Sequence, residues 1–116
     1  GKSSPSVQPM SVVSWTIGTD RPASNKASVS GTATLYPKAT YATMRVFLQY
    51  KSGDNWNNVT SCSPKAFTST EYGTVSIGSG GTFKNVSAKK IYRGAITVTH
   101  KIDGITYTNN YRSSSF

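Results

Sequence analysis

Apolar and polar residues alternate along most of the chain, with the period of two that is typical of half-buried β-strands. The alternating runs are residues 11–17, 27–35, 43–51, 92–102 and 105–112. The last two are separated only by Asp103-Gly104. A two-residue type I′ turn needs positive φ at both positions, and Asp and Gly tolerate it. The pattern therefore predicts an antiparallel hairpin centred on this dipeptide.

A two-residue loop also fixes the register of this hairpin. The predicted inner pairs are Ile102–Ile105, His100–Tyr107 and Ile96–Tyr111, and the outer pairs are Thr99–Thr108 and Ala95–Arg112. A slip of one residue would turn every side chain to the other face. We therefore expect Ile96, Val98 and Tyr111 to be buried, with Thr97 and Thr99 facing outward.

Clusters of turn-forming residues divide the rest of the chain. Residues 18–25 and 78–81 predict turns, residues 52–55 predict a hairpin loop, and Pro37 predicts the end of a strand. The result is about seven short strands, spaced as in an immunoglobulin-like or fibronectin-like β-sandwich. We expect a flexible N-terminal lead-in over residues 1–10 and a single antiparallel β-sandwich domain over residues 11–116.

Composition supports the all-β class. Val, Ile, Thr, Tyr, Phe and Trp contribute 43 of 116 residues, whereas Leu, Met and Gln contribute two each and Glu only one. This excludes a helical bundle and leaves little material for βαβ units. No run of apolar residues approaches the length of about 18 that a transmembrane helix needs, so we expect no transmembrane segment.

One cysteine, Cys62, excludes an internal disulfide and a cysteine-based zinc site. The Ser- and Thr-rich texture favours a secreted, extracellular protein. Two motifs within residues 27–115 resemble a known group of proteins. The first is the run from Leu48 to Trp56 (LQYKSGDNW), followed by Val59. The second is Tyr92-Arg93-Gly94, which opens a strand and is followed by a Ser-rich tail. The chain is similar to small secreted Ser/Thr-rich proteins of Gram-positive bacteria. That resemblance implies secretion and a β-sandwich, and it brings no catalytic residues with it.

The sequence contains few candidate catalytic residues. The three aspartates fall in turn-forming contexts, which leaves Glu71 as the one carboxylate without a local role. Cys62 is the single cysteine of the sequence, and His100 is the single histidine. A Cys–His dyad is formally available, but we interpret Cys62 as a small buried hydrophobe and His100 as an inward structural residue. We expect no enzyme, no catalytic or metal site and no cofactor.

The excess of positive charge is the one feature of the composition that indicates a function. Lysine and arginine number 13 against four acids, a formal net charge of +9. In the predicted hairpin Arg93, Lys101 and Arg112 share the outward face, with Lys89 and Lys90 just before the strand. The positive electrostatic field of these residues raises the concentration of polyanions near the protein surface. The alternative is a solvated basic surface that serves solubility.

The predicted partner is an anionic polymer, a glycan or an anionic lipid surface. Nucleic acid is disfavoured because Tyr92, Tyr107 and Tyr111 have inward parity, which leaves Phe47 and Trp56 as the aromatic contacts. We therefore expect a non-enzymatic binding module for cell-wall or host-surface association. The alternatives are a cationic antimicrobial or membrane-active toxin, and a subunit of an extracellular assembly. The oligomeric state stays open.

Overall fold

The structure is a computed structural model that describes residues 11–116. The predicted lead-in over residues 1–10 lies outside the described residues. Within them the chain is all-β, and no segment is helical. The strands are β1 (Val12–Ala23), β2 (Lys26–Ser52), β3 (Asn55–Asn58), β4 (Ala66–Lys84), β5 (Tyr92–Ile102) and β6 (Ile105–Ser115).

The 27-residue strand β2 organises the whole sheet. Its first half pairs with β1 on one side and with the second half of β4 on the other. Its second half pairs with β5, which pairs with β6, and on the opposite side with β3 and the first half of β4. All of these pairings are antiparallel. The pairing of β2 with β4 breaks register between Thr34 and Ala39, where both strands bend.

The bend divides the sheet into two arms. The first arm holds β1 with the first half of β2 and the second half of β4, and the second arm holds the remaining strands. The sheet curls into a half-barrel of six strands. The predicted sandwich of about seven strands is therefore not confirmed, whereas the all-β antiparallel class is.

The inner faces of the two arms pack directly against each other. A Cβ added at Gly31 would lie 2.6 Å from Cγ2 of Ile96, and one added at Gly94 would lie 2.6 Å from Cγ1 of Val29. Glycine is needed at both positions because the opposite layer occupies the space of a side chain. The core between the arms includes Val29, Met44, Val46, Leu48, Phe83, Ile96 and Val98, all nearly or fully buried.

The β5–β6 hairpin forms in the predicted register. Every predicted pair, from Ile102–Ile105 to Ala95–Arg112, is present. Asp103 and Gly104 have φ values of 51° and 78°, as a type I′ turn requires. Ile96 and Val98 are fully buried, and Tyr111 is half-buried against the core. The predicted register is confirmed, and of the three side chains expected in the core only Tyr111 is less buried than predicted.

Several predicted turns are instead continuous strand. β1 runs on through Asp20 to Ala23, β2 passes through Pro37, and β4 contains all of residues 78–81. A Cβ at Gly81 would lie 2.5 Å from the ring of Phe67, so this glycine makes room for a packed aromatic side chain. The predicted turn at residues 78–81 and the predicted strand end at Pro37 are wrong. The turn predicted over residues 18–25 is confirmed only at its end, at residues 24 and 25.

Trp15 points to the core side of β1 without being buried. It has the inward parity of β1, opposite the buried Ala33, but 41% of its surface is exposed. β1 and β6 are the outer strands of the half-barrel, so a side chain here is covered from one side only. Trp15 stacks on Tyr111 of β6 with ring centroids 4.7 Å apart. The pair bridges the two outer strands.

Among residues 11–116 there is no helix with the length and apolar character needed to cross a membrane.

Candidate functional site

The outer face of the second arm gathers three arginines and two aromatic residues. Alternate residues of β2, β3, β5 and β6 point to this face, because side chains along a strand alternate between its two sides. We call this group the arginine–aromatic patch: Arg45, Phe47, Trp56, Arg93 and Arg112. The predicted contacts Phe47, Trp56, Arg93 and Arg112 all belong to it.

Phe47 lies at the centre of the patch. It is directly opposite Ala95, and only 9% of its surface is exposed although it points away from the core. The guanidinium carbon of Arg45 lies 4.6 Å from the Phe47 ring centroid. This cation–π contact holds the arginine head against a rigid apolar base.

Arg93 is held from two sides. Its Nε donates a hydrogen bond of 2.8 Å to Oε1 of Gln49, and Nε2 of Gln49 donates one of 3.0 Å to Oδ1 of Asn58. The Arg93 guanidinium carbon lies 4.3 Å from the Trp56 ring centroid. Since the Nε–H is already bonded, the two terminal nitrogens of the guanidinium are the donors left for a ligand.

Arg112 completes the patch from the neighbouring strand. It is paired with Ala95 in the β5–β6 ladder, and a break in register separates that pair from Arg93. Partial burial lowers the pKa of Arg93, and the positive charge of Arg112 lowers it further. Arg93 nevertheless remains protonated at neutral pH. Two like charges are therefore held close together, which disfavours the empty site and favours an anion.

No carboxylate of the described residues balances this charge on the same face. Asp20 lies on β1 of the first arm, and Asp54 and Asp103 lie in the two hairpin turns. Glu71 pairs with Ala42, whose parity on β2 is opposite to that of Arg45. Strands β2, β3, β5 and β6, which carry the patch, therefore contribute no carboxylate to balance the field of the three arginines.

The other predicted cations do not join the patch. Lys101 shares the outer parity of β5 but lies eight residues from Arg93, about 27 Å along the strand. Lys89 and Lys90 lie in the loop between β4 and β5. The Nζ of Lys90 lies 4.3 Å from the ring centroid of Tyr50, which has the inward parity of β2. The five predicted residues are therefore spread over three places.

Arg45 is the functional residue that we left out of the predicted set. The alternation in residues 43–51 gives it the same parity as Phe47. Its place on the same face as Arg93 and Arg112 depends on the pairing of β2 with β5, which sets Arg45 opposite Thr97. That pairing is long-range, and no local pattern reports it.

His100 and Cys62 form no catalytic dyad. His100 is fully buried, neither ring nitrogen has a hydrogen-bond partner, and its ring stacks on Tyr107 at 5.6 Å. Burial lowers its pKa. The thiol of Cys62 is also buried and donates to the carbonyl of Pro64 at 3.4 Å, and burial raises its pKa. Residues 11–116 contain no group of three His, Cys, Asp or Glu side chains arranged to hold a metal.

Two open depressions are lined mainly by residues of the first arm. They measure about 340 and 450 Å³ and are lined mainly by Ser, Thr and Gly, with Asp20 in one and Glu71 in the other. Neither is lined by a lysine or an arginine. An anionic ligand therefore has a better electrostatic match on the second arm.

Comparisons with known proteins add little to this geometry. No family model matches the sequence, and no curated protein is similar to it. A crystal structure of a protein from Archaeoglobus fulgidus aligns with a TM-score of 0.45 and 11% sequence identity. The alignment covers 91% of this chain and 96% of that one. The resemblance to secreted Gram-positive proteins stays a prediction.

Proposed function

We propose that this chain is a secreted, non-enzymatic binding module for an anionic surface polymer, which it contacts through the arginine–aromatic patch. The supporting observation is the set of three arginines on the face that Phe47 and Trp56 occupy, in strands β2, β3, β5 and β6, which contain no carboxylate residue. A surface selected only for solubility needs dispersed charge, and it has no need for arginines held against aromatic rings.

The stacking of Arg45 and Arg93 matters for affinity. Fixing a long, flexible side chain at an interface costs about 0.5–1.5 kcal/mol. Here part of that entropy is already lost when the protein folds, since both guanidinium groups pack against aromatic rings in the free protein. A guanidinium also presents paired N–H donors that match two oxygens of a carboxylate, phosphate or sulfate. The patch is therefore suited to oxyanions in particular.

The covered rings argue against nucleic acid as the ligand. Proteins that bind single strands stack bases on exposed aromatic faces. Phe47 is buried beneath Arg45, and Trp56 is half-buried beside Arg93. These rings support the cations, and their faces are not free for a base.

The test replaces Arg45, Arg93 and Arg112 together by Gln. A matched control replaces Lys26, Lys38 and Lys84, three exposed cations outside the patch, in the same way. Each exposed charge pair contributes up to about 1 kcal/mol, so we expect the patch variant to bind heparin about thirtyfold more weakly. We expect the control to lose at most about threefold. Binding is measured by titration calorimetry at two salt concentrations, with circular dichroism as a check on folding.

Two outcomes would contradict the proposal. Equal losses in both triple variants would show that net charge alone drives association. No measurable binding of the unmodified chain to heparin, polyphosphate or anionic vesicles would remove the anionic polymer altogether.

A second candidate function, membrane contact, is favoured by one observation. Tyr36, Tyr72 and Val75 lie where β2 and β4 bend, with 68%, 75% and 53% of their surfaces exposed. Lys38 approaches the same bend, because its Cε lies 3.6 Å from the position of a Cβ at Gly73. Exposed apolar and aromatic side chains beside a cation suit a lipid interface.

Dye release from anionic vesicles separates the two functions. Release by the unmodified chain, lost when Tyr36 and Tyr72 are changed to Ser, would favour the membrane-active protein. Binding without release, lost in the arginine variant, would favour the binding module.

A further inference from the structure

A row of threonines crosses the same outer face next to the arginine–aromatic patch. Four strands contribute one residue each to this row, which we call the threonine ladder: Thr70, Thr43, Thr99 and Thr108. The hydroxyl oxygens are 3.5 Å apart in the Thr43–Thr70 pair and 3.4 Å apart in the Thr99–Thr108 pair. All four side chains are half-buried or exposed.

Thr97 and Asn110 connect the ladder to the patch. They form the next pair along the β5–β6 hairpin, between Thr99–Thr108 and Ala95–Arg112. Oγ1 of Thr97 donates a hydrogen bond of 2.8 Å to Oδ1 of Asn110. The amide nitrogen of Asn110 remains available as a donor. Along β5 the outer face therefore runs from Arg93 through neutral hydroxyl groups to Lys101.

This arrangement combines two kinds of recognition. A threonine side chain is β-branched and stiff at χ1, so its hydroxyl is fixed at little further entropic cost. In the Thr99–Thr108 pair a mutual bond uses one O–H donor and leaves the other O–H and the remaining lone pairs for a ligand. The Thr43 hydroxyl instead donates a hydrogen bond of 2.6 Å to Oη of Tyr41, so it offers acceptor lone pairs to a ligand. The methyl groups beside them can contact C–H surface. Donors, acceptors and methyl groups in alternation suit a sugar ring.

We propose that the outer face of the second arm binds an anionic polysaccharide laid along β5. The arginine–aromatic patch and Lys101 contact its acidic groups, and the threonine ladder with Thr97 and Asn110 contacts its ring hydroxyls. This inference rests on the proposed function and narrows its ligand class. A polyanion without hydroxyl groups would use the cations alone.

The test compares two polyanions on one variant, called the ladder variant, which lacks the threonine hydroxyls that β5 and β6 contribute next to the patch. Thr97, Thr99 and Thr108 are replaced by Val, which keeps the β-branched shape and removes three hydroxyls. The control replaces Thr16, Thr32 and Thr34, exposed threonines of the first arm, in the same way. Affinities for a heparin oligosaccharide and for an inorganic polyphosphate of equal charge are measured by titration calorimetry.

We expect the ladder variant to bind heparin about tenfold more weakly, which corresponds to a few lost hydrogen bonds. We expect its affinity for polyphosphate, and both affinities of the control, to change by less than about twofold. Since heparin carries acidic groups and ring hydroxyls whereas polyphosphate carries charge alone, the difference between the two ligands isolates the hydroxyls.

The remaining outcomes overturn the inference in distinguishable ways. An unchanged heparin affinity, or equal losses for both ligands, would refute the role of the ladder and leave the proposed function standing. Tighter binding to single-stranded DNA than to heparin would refute the polysaccharide class. No binding to either polyanion by the unmodified chain would refute the proposed function together with this inference.

Discussion

Replacement of His100 by Leu gives the sharpest test of the core. The imidazole is fully buried and neither nitrogen has a hydrogen-bond partner. A buried polar group left without a partner costs about 1–3 kcal/mol. Against this stands the stacking on Tyr107, and such aromatic contacts contribute about 0.5–1.5 kcal/mol. We therefore expect the variant to be as stable as the unmodified chain at pH 7.5, or more stable by about 1 kcal/mol.

The pH dependence is more diagnostic than the absolute stability. Burial lowers the pKa of His100 in the folded protein, so between the folded and unfolded pKa values the unfolded chain binds more protons. The contribution of the neutral His100 to the free energy of unfolding is then fully present above the pKa of the unfolded chain, ordinarily about 6.5. It decreases as the pH drops below that value. Between pH 7.5 and pH 5.5 the unmodified chain should lose up to about 1.4 kcal/mol. The Leu variant should lose none of this amount.

The sequence makes this experiment unusually clean. His100 is the single histidine of the sequence, and histidine is the side chain whose ordinary pKa lies between pH 5.5 and pH 7.5. The N-terminal amine is common to both proteins and cancels in the comparison. Urea unfolding at pH 5.5, 6.5 and 7.5, followed by tryptophan fluorescence, gives the free energies. A Leu variant that keeps the pH dependence, or an unmodified chain with none, would refute the buried neutral histidine.

Further predictions concern packing, reactivity and one structural arginine. Gly31→Ala should destabilise the fold by about 1–3 kcal/mol in urea unfolding, because its methyl group would overlap Ile96 and no loop can absorb the shift; an unchanged stability would mean that the arms are not in direct contact. Cys62 should react with a thiol reagent at least about a hundredfold more slowly in the native chain than in urea, since it is buried and burial raises its pKa; rapid native labelling would contradict its position. Arg21→Ala should cost about 2 kcal/mol, because the guanidinium donates to the carbonyls of Ser87 (3.1 Å) and Lys90 (2.7 Å); a melting temperature equal to that of the unmodified chain would show these bonds to be dispensable.

Local turn chemistry explains why the C-terminal hairpin could be predicted from the sequence. Asp103-Gly104 fixes a two-residue turn, and the turn fixes the register of eight residues on either side. The placement of Arg93 and Arg112 on one face follows from that register alone. This part of the site needed no knowledge of the rest of the fold.

The errors in the sequence-based prediction concern residues whose position depends on contacts with a distant part of the chain. Gly81 looks like part of a turn, but its lack of a side chain serves Phe67. Parity predicted the face to which Trp15 points, yet exposure depends on what covers that face. Lys89 and Lys90 lie in a loop, where alternation predicts no direction. Arg45 joins the site through the β2–β5 ladder, which the sequence does not specify.

The two arms share strands β2 and β4, each of which passes through the bend without interruption in the chain. Loss of pairing in one arm therefore removes the anchor of the same strands in the other, and neither arm can persist as an independent folding unit. We expect calorimetric and van't Hoff enthalpies to agree, and the slowest-exchanging amides of both arms to open together. Since β1, β5 and β6 can dock only after β2 is extended, folding must bring together residues far apart in sequence, and its rate should resemble that of slow, topologically complex β proteins.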